Sequence, residues 1–282
     1  MEEAIKKADV LIEALPYIKR FHKKVTVIKY GGSILGEERV RKSVLEDIAF
    51  LRYTGIRPIL VHGGGPNITE RMKELKITTE FIEGFRVTDS TTLKVVEEEL
   101  NRLNDLIIEE ISLHGVESWG IKKDDNILQV KKKKTKKDLG FVGEVIDFDR
   151  KKIEGVLPQK IPVVCPMGLS SEDVTYNVNA DEAASFLASQ LSAEKIVFLT
   201  NVLGVMRDAN DKDSLMSTLT VQEAKELIAK GVIDEGMVPK VRAAIEALTH
   251  GVKKAHIIDA KIPHAILLEI FTDQGIGTEI VK

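Results

Sequence analysis

Short apolar runs alternate with longer stretches in which apolar residues recur every third or fourth position. The runs at 25–28 and 56–62 predict strands, and those at 161–167 and 195–200 predict strands buried on both faces. Between them the helical period takes over. Residues 37–53 carry Val40, Val44, Leu45, Ile48 and Leu51 on one side and end at Gly55. Residues 89–113 form the longest such pattern, with Leu93, Val96, Leu100, Leu103, Ile107 and Ile111 on one side and the acidic 97–99 run off it. Further helices are predicted near 181–191, 220–230, 239–249 and 264–271. Asn179 stands three residues before Glu182, and Thr220 three before Glu223, which are N-cap signatures. Residues 116–147 break the rhythm: apolar pieces at 127–130 and 141–145 flank a lysine-rich run at 131–137, the pattern of a hairpin flap with a solvated tip. Alternating β and α elements imply an α/β three-layer sandwich, a mainly parallel sheet with helices on both faces and ligands at the strand C-termini.

Two glycine runs stand where such a fold places ligands. Lys29-Tyr30-Gly31-Gly32-Ser33 follows the first strand, and His62-Gly63-Gly64-Gly65-Pro66 follows the second. Each leads into a helical pattern. Without a Cβ, backbone N–H groups and a helix N-terminus can close on an anion. A lysine in the first run suits a phosphoryl group that is transferred rather than merely held. A P-loop nearly appears at 31–36, but Glu37 and Glu38 follow in place of lysine and a hydroxyl residue. The dinucleotide glycine fingerprint fails at both runs, and no protein-kinase H-R-D or D-F-G motif occurs. Two later segments add chemistry. In Tyr176-Asn177-Val178-Asn179-Ala180-Asp181 the two asparagines alternate, so an extended chain points both the same way, and Asp181 falls in the first turn of a helix. Gly236-Met237-Val238-Pro239-Lys240 brings a second lysine beside a glycine and a helix-starting proline.

Composition narrows the class without choosing the activity. The 282 residues suffice for one large domain or two lobes, and a net charge of −3 supplies no field for nucleic acid or an anionic membrane. The lone Cys165 excludes an intrachain disulfide, no apolar run reaches the length of a bilayer span, and residues 1–20 lack a signal peptide's apolar core, so the cytoplasm is expected. The histidines form no metal-binding spacing, and no protein-bound metal is expected. Cys165, His62, His256 and Trp119 read as core residues. No aromatics interleave the lysine run, which argues against RNA.

Taken together, Lys29–Gly32, His62–Pro66, Gly84-Phe85-Arg86-Val87-Thr88-Asp89, Tyr176–Asp181, Leu199-Thr200-Asn201-Val202, Gly236–Lys240 and the 264–269 segment resemble the amino-acid kinase family. Within it the chain is most similar to the members that phosphorylate the γ-carboxylate of N-acetyl-L-glutamate with ATP, in arginine biosynthesis. The resemblance implies the following roles. Lys29 and Lys240 compensate charge on the transferring and leaving groups, and Asp181 orients both lysines. Gly31, Gly32 and Gly64 donate N–H groups to the phosphates. Arg86 takes the α-carboxylate, with Asn177, Asn179, Gly64 and Gly65 around the rest of the acyl substrate. ATP, with Mg²⁺ carried on its phosphates, lies near Thr200, Asn201 and Met237. The implied division is 25–175 for the acyl substrate and 176–282 for ATP. This chain departs from the family at Lys123-Asp124-Asp125 in the hairpin and at Ala260; Asn201 replaces a frequent aspartate. None of these changes touches the lysines, Asp181 or Arg86.

Residues 1–24 are expected to form a separate element. Val10, Leu11, Ala14, Leu15 and Ile18 make an apolar stripe that Pro16 should kink. Such a helix packs either on its own subunit or against another. Arginine-inhibited, hexameric members of the family carry an extension of this kind. The same resemblance extends to Glu269 and the 275–278 segment. It implies feedback inhibition by L-arginine, with Tyr17, Lys195, Glu269 and Gly275 near the effector, in a homohexamer built from dimers. Two other readings remain: a kinase for a longer homologue such as N-acetyl-aminoadipate, and a non-catalytic sensor of ATP or arginine.

Overall fold

The computed structural model describes residues 1–208, 211–234, 236–272 and 275–282, with all their side chains except those of residues 3, 7 and 212. Helix α1 (Glu2–Phe21) leads into β1 (Val25–Tyr30), a single turn α2 (Gly32–Leu35), α3 (Glu38–Tyr53), β2 (Arg57–His62) and α4 (Gly65–Glu74). A small hairpin, β3 (Phe81–Ile82) and β4 (Phe85–Arg86), precedes the long α5 (Ser90–Ser112) and β5 (Ser118–Ile121). Then come β6 (Leu128–Lys132), β7 (Val142–Phe148), α6 (Arg150–Val156), β8 (Ile161–Val164), β9 (Met167–Leu169) and β10 (Thr175–Val178). The remainder is α7 (Ala180–Gln190), β11 (Lys195–Thr200), β12 (Thr218–Thr220), α8 (Val221–Ala229), α9 (Val238–Thr249), β13 (Lys254–Asp259), α10 (Ala265–Phe271) and β14 (Thr278–Val281).

Among the described residues, eight strands form one sheet in the order β12-β14-β13-β11-β1-β2-β8-β5. Every pairing in it is parallel except β13 with β14. Successive residues of the central strands enter opposite cores, as the two-residue period requires. Val27, Ile196 and Phe198 face α7 and α9, where Ala184, Leu187 and Val241 receive them. Ile28, Tyr30, Val197 and Leu199 face the other way, toward Leu45 and Ile48 of α3, Ile107 of α5 and Ile266 of α10. This is the three-layer sandwich expected from the alternation of elements. Both predicted caps form. Asn179 Oδ1 accepts from the amides of Asp181 and Glu182, and Thr220 and Glu223 make a reciprocal capping box.

The 116–147 region is more than a flap. β5 is an edge strand of the main sheet, parallel to β8. β6 and β7 do form the antiparallel hairpin, but β9 and β10 close it into a four-stranded barrel. The lysine run is only partly solvated: Lys133 folds back to pair with Glu182 of α7 at 2.9 Å and lies over the Phe85 ring. α1 is a single helix with Pro16 inside it, anchored at its C-terminal end by buried Phe21, while Val10 and Leu11 remain exposed. Among the described residues no helix is long and apolar enough to cross a membrane.

Candidate active site

Because β1 and β2 are parallel neighbours with Tyr30 opposite His62, the two glycine runs leave the sheet side by side. The amide of Gly63 donates to the carbonyl of Tyr30 at 2.8 Å, tying one loop to the other. Gly31 caps α2 and Gly64 caps α4. The first amides of a helix have no partner within it and stay available to a ligand. The loops meet so closely that a Cβ on Gly32 would stand 2.8 Å from the nitrogen of Gly65 and 2.9 Å from that of Gly64. Backbone, not a movable side chain, is the obstacle, so only glycine fits there. Above this floor opens a cleft of about 320 Å³, lined by Gly31, Gly32, Gly64, Gly65, Thr200 and Asn201 among others.

Lys29, near the C-terminal end of β1, reaches into the cleft and meets Asp181 at 2.9 Å. Each of these residues is only 6% exposed. Asp181 is held in the first turn of α7, where the Asn179 cap fixes the backbone. Lys240 comes from the first turn of α9 and lines the same cleft. Burial lowers its ammonium below the ordinary lysine value. The positive charge of Lys29 acts in the same direction, and Asp181 opposes both. The three groups thus share one electrostatic neighbourhood although they lie far apart in the chain.

Arg86 occupies the opposite wall. Its guanidinium donates to Thr69 Oγ1 at 2.7 Å and the Gly65 carbonyl at 3.0 Å, and it lies over the Phe81 ring with 4.7 Å to the centroid. It is 7% exposed, and no carboxylate among the described residues pairs with it. A buried guanidinium without a counter-ion, facing a cleft, is ready for a ligand's carboxylate. Asn177 and Asn179 both line this space; the Oδ1 of Asn179 is occupied by its cap. Thr200 Oγ1 donates to the Val202 carbonyl at 2.7 Å, shaping the turn after β11. Met237 does not reach the cleft lining. It caps α9 and packs against the core. Among the described residues no set of three His, Cys, Asp or Glu side chains could hold a metal ion.

A family profile described as the amino acid kinase family matches residues 24–259. The chain belongs to that family. It is 44% identical over 286 residues to "Acetylglutamate kinase" of Desulforamulus reducens, covering 100% of both chains. It is 46% identical over 288 residues to the protein of the same name from Halothermothrix orenii, covering 100% of this chain and 99% of that one. Among solved structures, N-acetylglutamate synthase from Neisseria gonorrhoeae, complexed with coenzyme A and N-acetyl-glutamate, superposes with a TM-score of 0.88 at 27% identity. The match covers 98% of this chain and 63% of that longer one. Carbamate kinase from Giardia lamblia, at 16% identity and a TM-score of 0.67 over 92% of this chain and 98% of its own, shares the fold.

Two features of this amino acid kinase lie outside the cleft. Tyr17, Lys195, Glu269 and Gly275 line one cavity of about 310 Å³ between α1, the β11 start and α10. Lys195 Nζ donates to the Glu269 carbonyl at 3.3 Å, and His256 Nδ1 lies 2.7 Å from Glu269 Oε1. Burial works to raise the Glu269 carboxyl, but His256 and Lys195 outweigh it and hold it below its ordinary value.

The second feature is His62, a core residue as expected from sequence, whose ring also makes two polar contacts. Its ring is fully buried, with Nε2 3.1 Å from Asn104 Nδ2 and Nδ1 3.2 Å from the Gly63 carbonyl. Asn104 is a buried polar position inside the apolar face of α5, which the helical period does not single out. Burial pushes the His62 imidazole down to about 4, only partly offset by the Gly63 carbonyl. The unfolded chain therefore takes up a proton as pH falls below about 6.5 that the folded chain refuses until about pH 4, so stability drops with falling pH in that window. Between pH 7.5 and 5.0 wild type should lose about 2 kcal/mol more unfolding free energy than His62→Asn. Denaturant titration at both pH values checks this; equal losses would contradict a neutral, buried His62.

Proposed function

We propose that this chain is an acetylglutamate kinase, transferring the γ-phosphoryl group of ATP to the γ-carboxylate of N-acetyl-L-glutamate in arginine biosynthesis. The observation that carries the reading is the Lys29–Asp181 ion pair with Lys240 lining the same cleft, together with a buried Arg86 that has no carboxylate partner among the described residues. A carboxylate oxygen attacks the γ-phosphorus, the bond to the β-phosphate oxygen breaks, and ADP leaves. The nucleophile has no proton to lose, so no general base is needed and Asp181 serves to aim the lysines. What the reaction requires is two anions brought together and their charge compensated. Lys29 neutralises the transferring group and Lys240 the ADP oxygen. The amides of Gly31, Gly32 and Gly64 take the phosphoryl oxygens. Arg86 binds the α-carboxylate, with Asn177, Asn179 and Gly65 beside the acetamido group, while ATP extends past Thr200, Asn201 and the Met237 turn. Mg²⁺ would be held by the ATP phosphates and water, where it would supply further charge compensation, since Asp181 is already engaged by Lys29. The site of action is the cytoplasm.

Coupled assay of ADP release with N-acetylglutamate, N-acetyl-aminoadipate and glutamate tests this. N-acetylglutamate should turn over at least about tenfold more efficiently than either competitor, because one methylene is worth about 1–3 kcal/mol. Arg86→Ala should raise the KM for N-acetylglutamate about 10- to 100-fold, the worth of charged hydrogen bonds, and leave that for ATP within about threefold. A preference for N-acetyl-aminoadipate would contradict the substrate, and no turnover at all would favour a sensor.

The cavity holding Tyr17, Lys195, Glu269 and Gly275 supports feedback inhibition by L-arginine, with carboxylates for a guanidinium and cations for a carboxylate on its walls. A related N-acetylglutamate synthase from Neisseria gonorrhoeae, 26% identical with a TM-score of 0.85, has been solved with coenzyme A and L-arginine. The exposed apolar stripe of α1, with Val10 63% and Leu11 68% accessible, supports interlacing with another subunit's helix in a homohexamer built from dimers. Removing residues 1–22 should raise the arginine concentration for half-inhibition at least about tenfold, as loss of one wall of a site does. Unchanged inhibition would reject the helix's part in it.

A further inference from the structure

We infer that His62 and Asn104 are positioning residues that lock the Gly63–Gly64 peptide so that the Gly64 amide faces the transferring phosphoryl group. The chain of partners fixes the protons. The Val163 carbonyl only accepts, and Asn104 Nδ2 lies 3.0 Å from it, so the amide nitrogen of Asn104 stands on that side. The second proton of the same nitrogen points at His62 Nε2, which must then be the acceptor. In a neutral imidazole the remaining proton sits on Nδ1, and it is donated to the Gly63 carbonyl. A protonated ring would set an Nε2–H against the Asn104 amide hydrogens, which agrees with the depressed basicity of this histidine.

Consequences for the loop follow from peptide geometry. The described chain contains no cis bond, so the Gly63 carbonyl and the Gly64 N–H point in opposite directions. With the carbonyl turned into the protein toward a ring that is 0% exposed, the Gly64 N–H turns outward. Its nitrogen lies 2.9 Å from where a Cβ on Gly32 would stand, at the floor of the cleft. Glycine at 63 and 64 allows many peptide orientations, and the His62–Asn104 relay selects one. Gly120 of β5 completes the arrangement: a Cβ there would overlap Asn104 Oδ1. Neither nitrogen of His62 is free to exchange protons with a substrate, so the residue acts through the backbone, not by acid–base chemistry.

This inference rests on the phosphoryl-transfer reading, which wild-type turnover of N-acetylglutamate tests separately. Three variants test the relay by steady-state kinetics and thermal melting. His62→Asn keeps an N–H where Nδ1 was and should hold kcat within about fivefold of wild type. His62→Phe fills the apolar space but donates nothing; kcat should fall about 10- to 100-fold with both KM values within about threefold, since one preorganised donor is worth up to 10²–10³. A purely space-filling histidine predicts the reverse order, Phe better than Asn, and that result would overturn the proposal. Should His62→Phe not fold, Asn104→Leu carries the test. It leaves His62 in place but frees its tautomer, and kcat should fall about three- to tenfold at unchanged KM values; kcat within twofold of wild type would overturn the relay.

Discussion

One buried ion pair, between Asp181 and Lys29, is the constraint on which the proposed site depends. Asp181 sits 2.9 Å from Lys29 and within the field of Lys240, in a cleft where charge is poorly screened. Two ammonium groups brought this close repel each other, and without the carboxylate the folded state would have to keep them apart. With it, Lys29 and Lys240 line the same cleft, where a polyphosphate, in the proposed reaction, would supply further negative charge. The Lys29–Asp181 pair offsets part of the cost of holding the Lys29 ammonium away from water.

The sheet makes that convergence possible. From β1 the sheet extends to β2, β8 and β5 on one side and to β11, β13, β14 and β12 on the other. The crevice at such a reversal of direction is where open α/β sheets bind ligands. Lys29 lies on one side of it, and Thr200 and Asn201 on the other, with Asp181 and Lys240 delivered by the helices α7 and α9 that cover one face. Arg86 arrives separately on the β3–β4 hairpin and is clamped by α4, so it and the Lys29–Asp181 pair reach the cleft from different parts of the chain.

Much of this was legible in the sequence because its causes are local. A strand followed by paired glycines, an asparagine two residues before an aspartate, and a proline ahead of a lysine each predict backbone geometry without knowledge of distant partners. The central strands and the long helices followed from hydrophobic period for the same reason. What escaped depends on contacts between remote segments. β5 reads as part of a flap because its pairing with β8 is forty residues away in sequence terms and its own period is weak. The closure of β6 and β7 by β9 and β10 involves strands too short to announce themselves. His62 is buried as expected, but its contact with Asn104 was hidden because that partner lies on another element, and Lys133 looked solvated because Glu182 does. Met237 shares its turn with Lys240, yet its side chain is drawn into the core by the adjacent apolar cluster.

A double-mutant cycle on turnover, combining Lys29→Met and Asp181→Asn, reaches the central claim most directly. If Asp181 works by aiming Lys29 and Lys240, each single variant should lower kcat strongly, about 10²-fold or more, and the double variant should be far less impaired than the product of the two losses. Losses that multiply would mean that Asp181 acts on the reacting groups independently of Lys29, and the account of a carboxylate that serves only to position charge would be wrong.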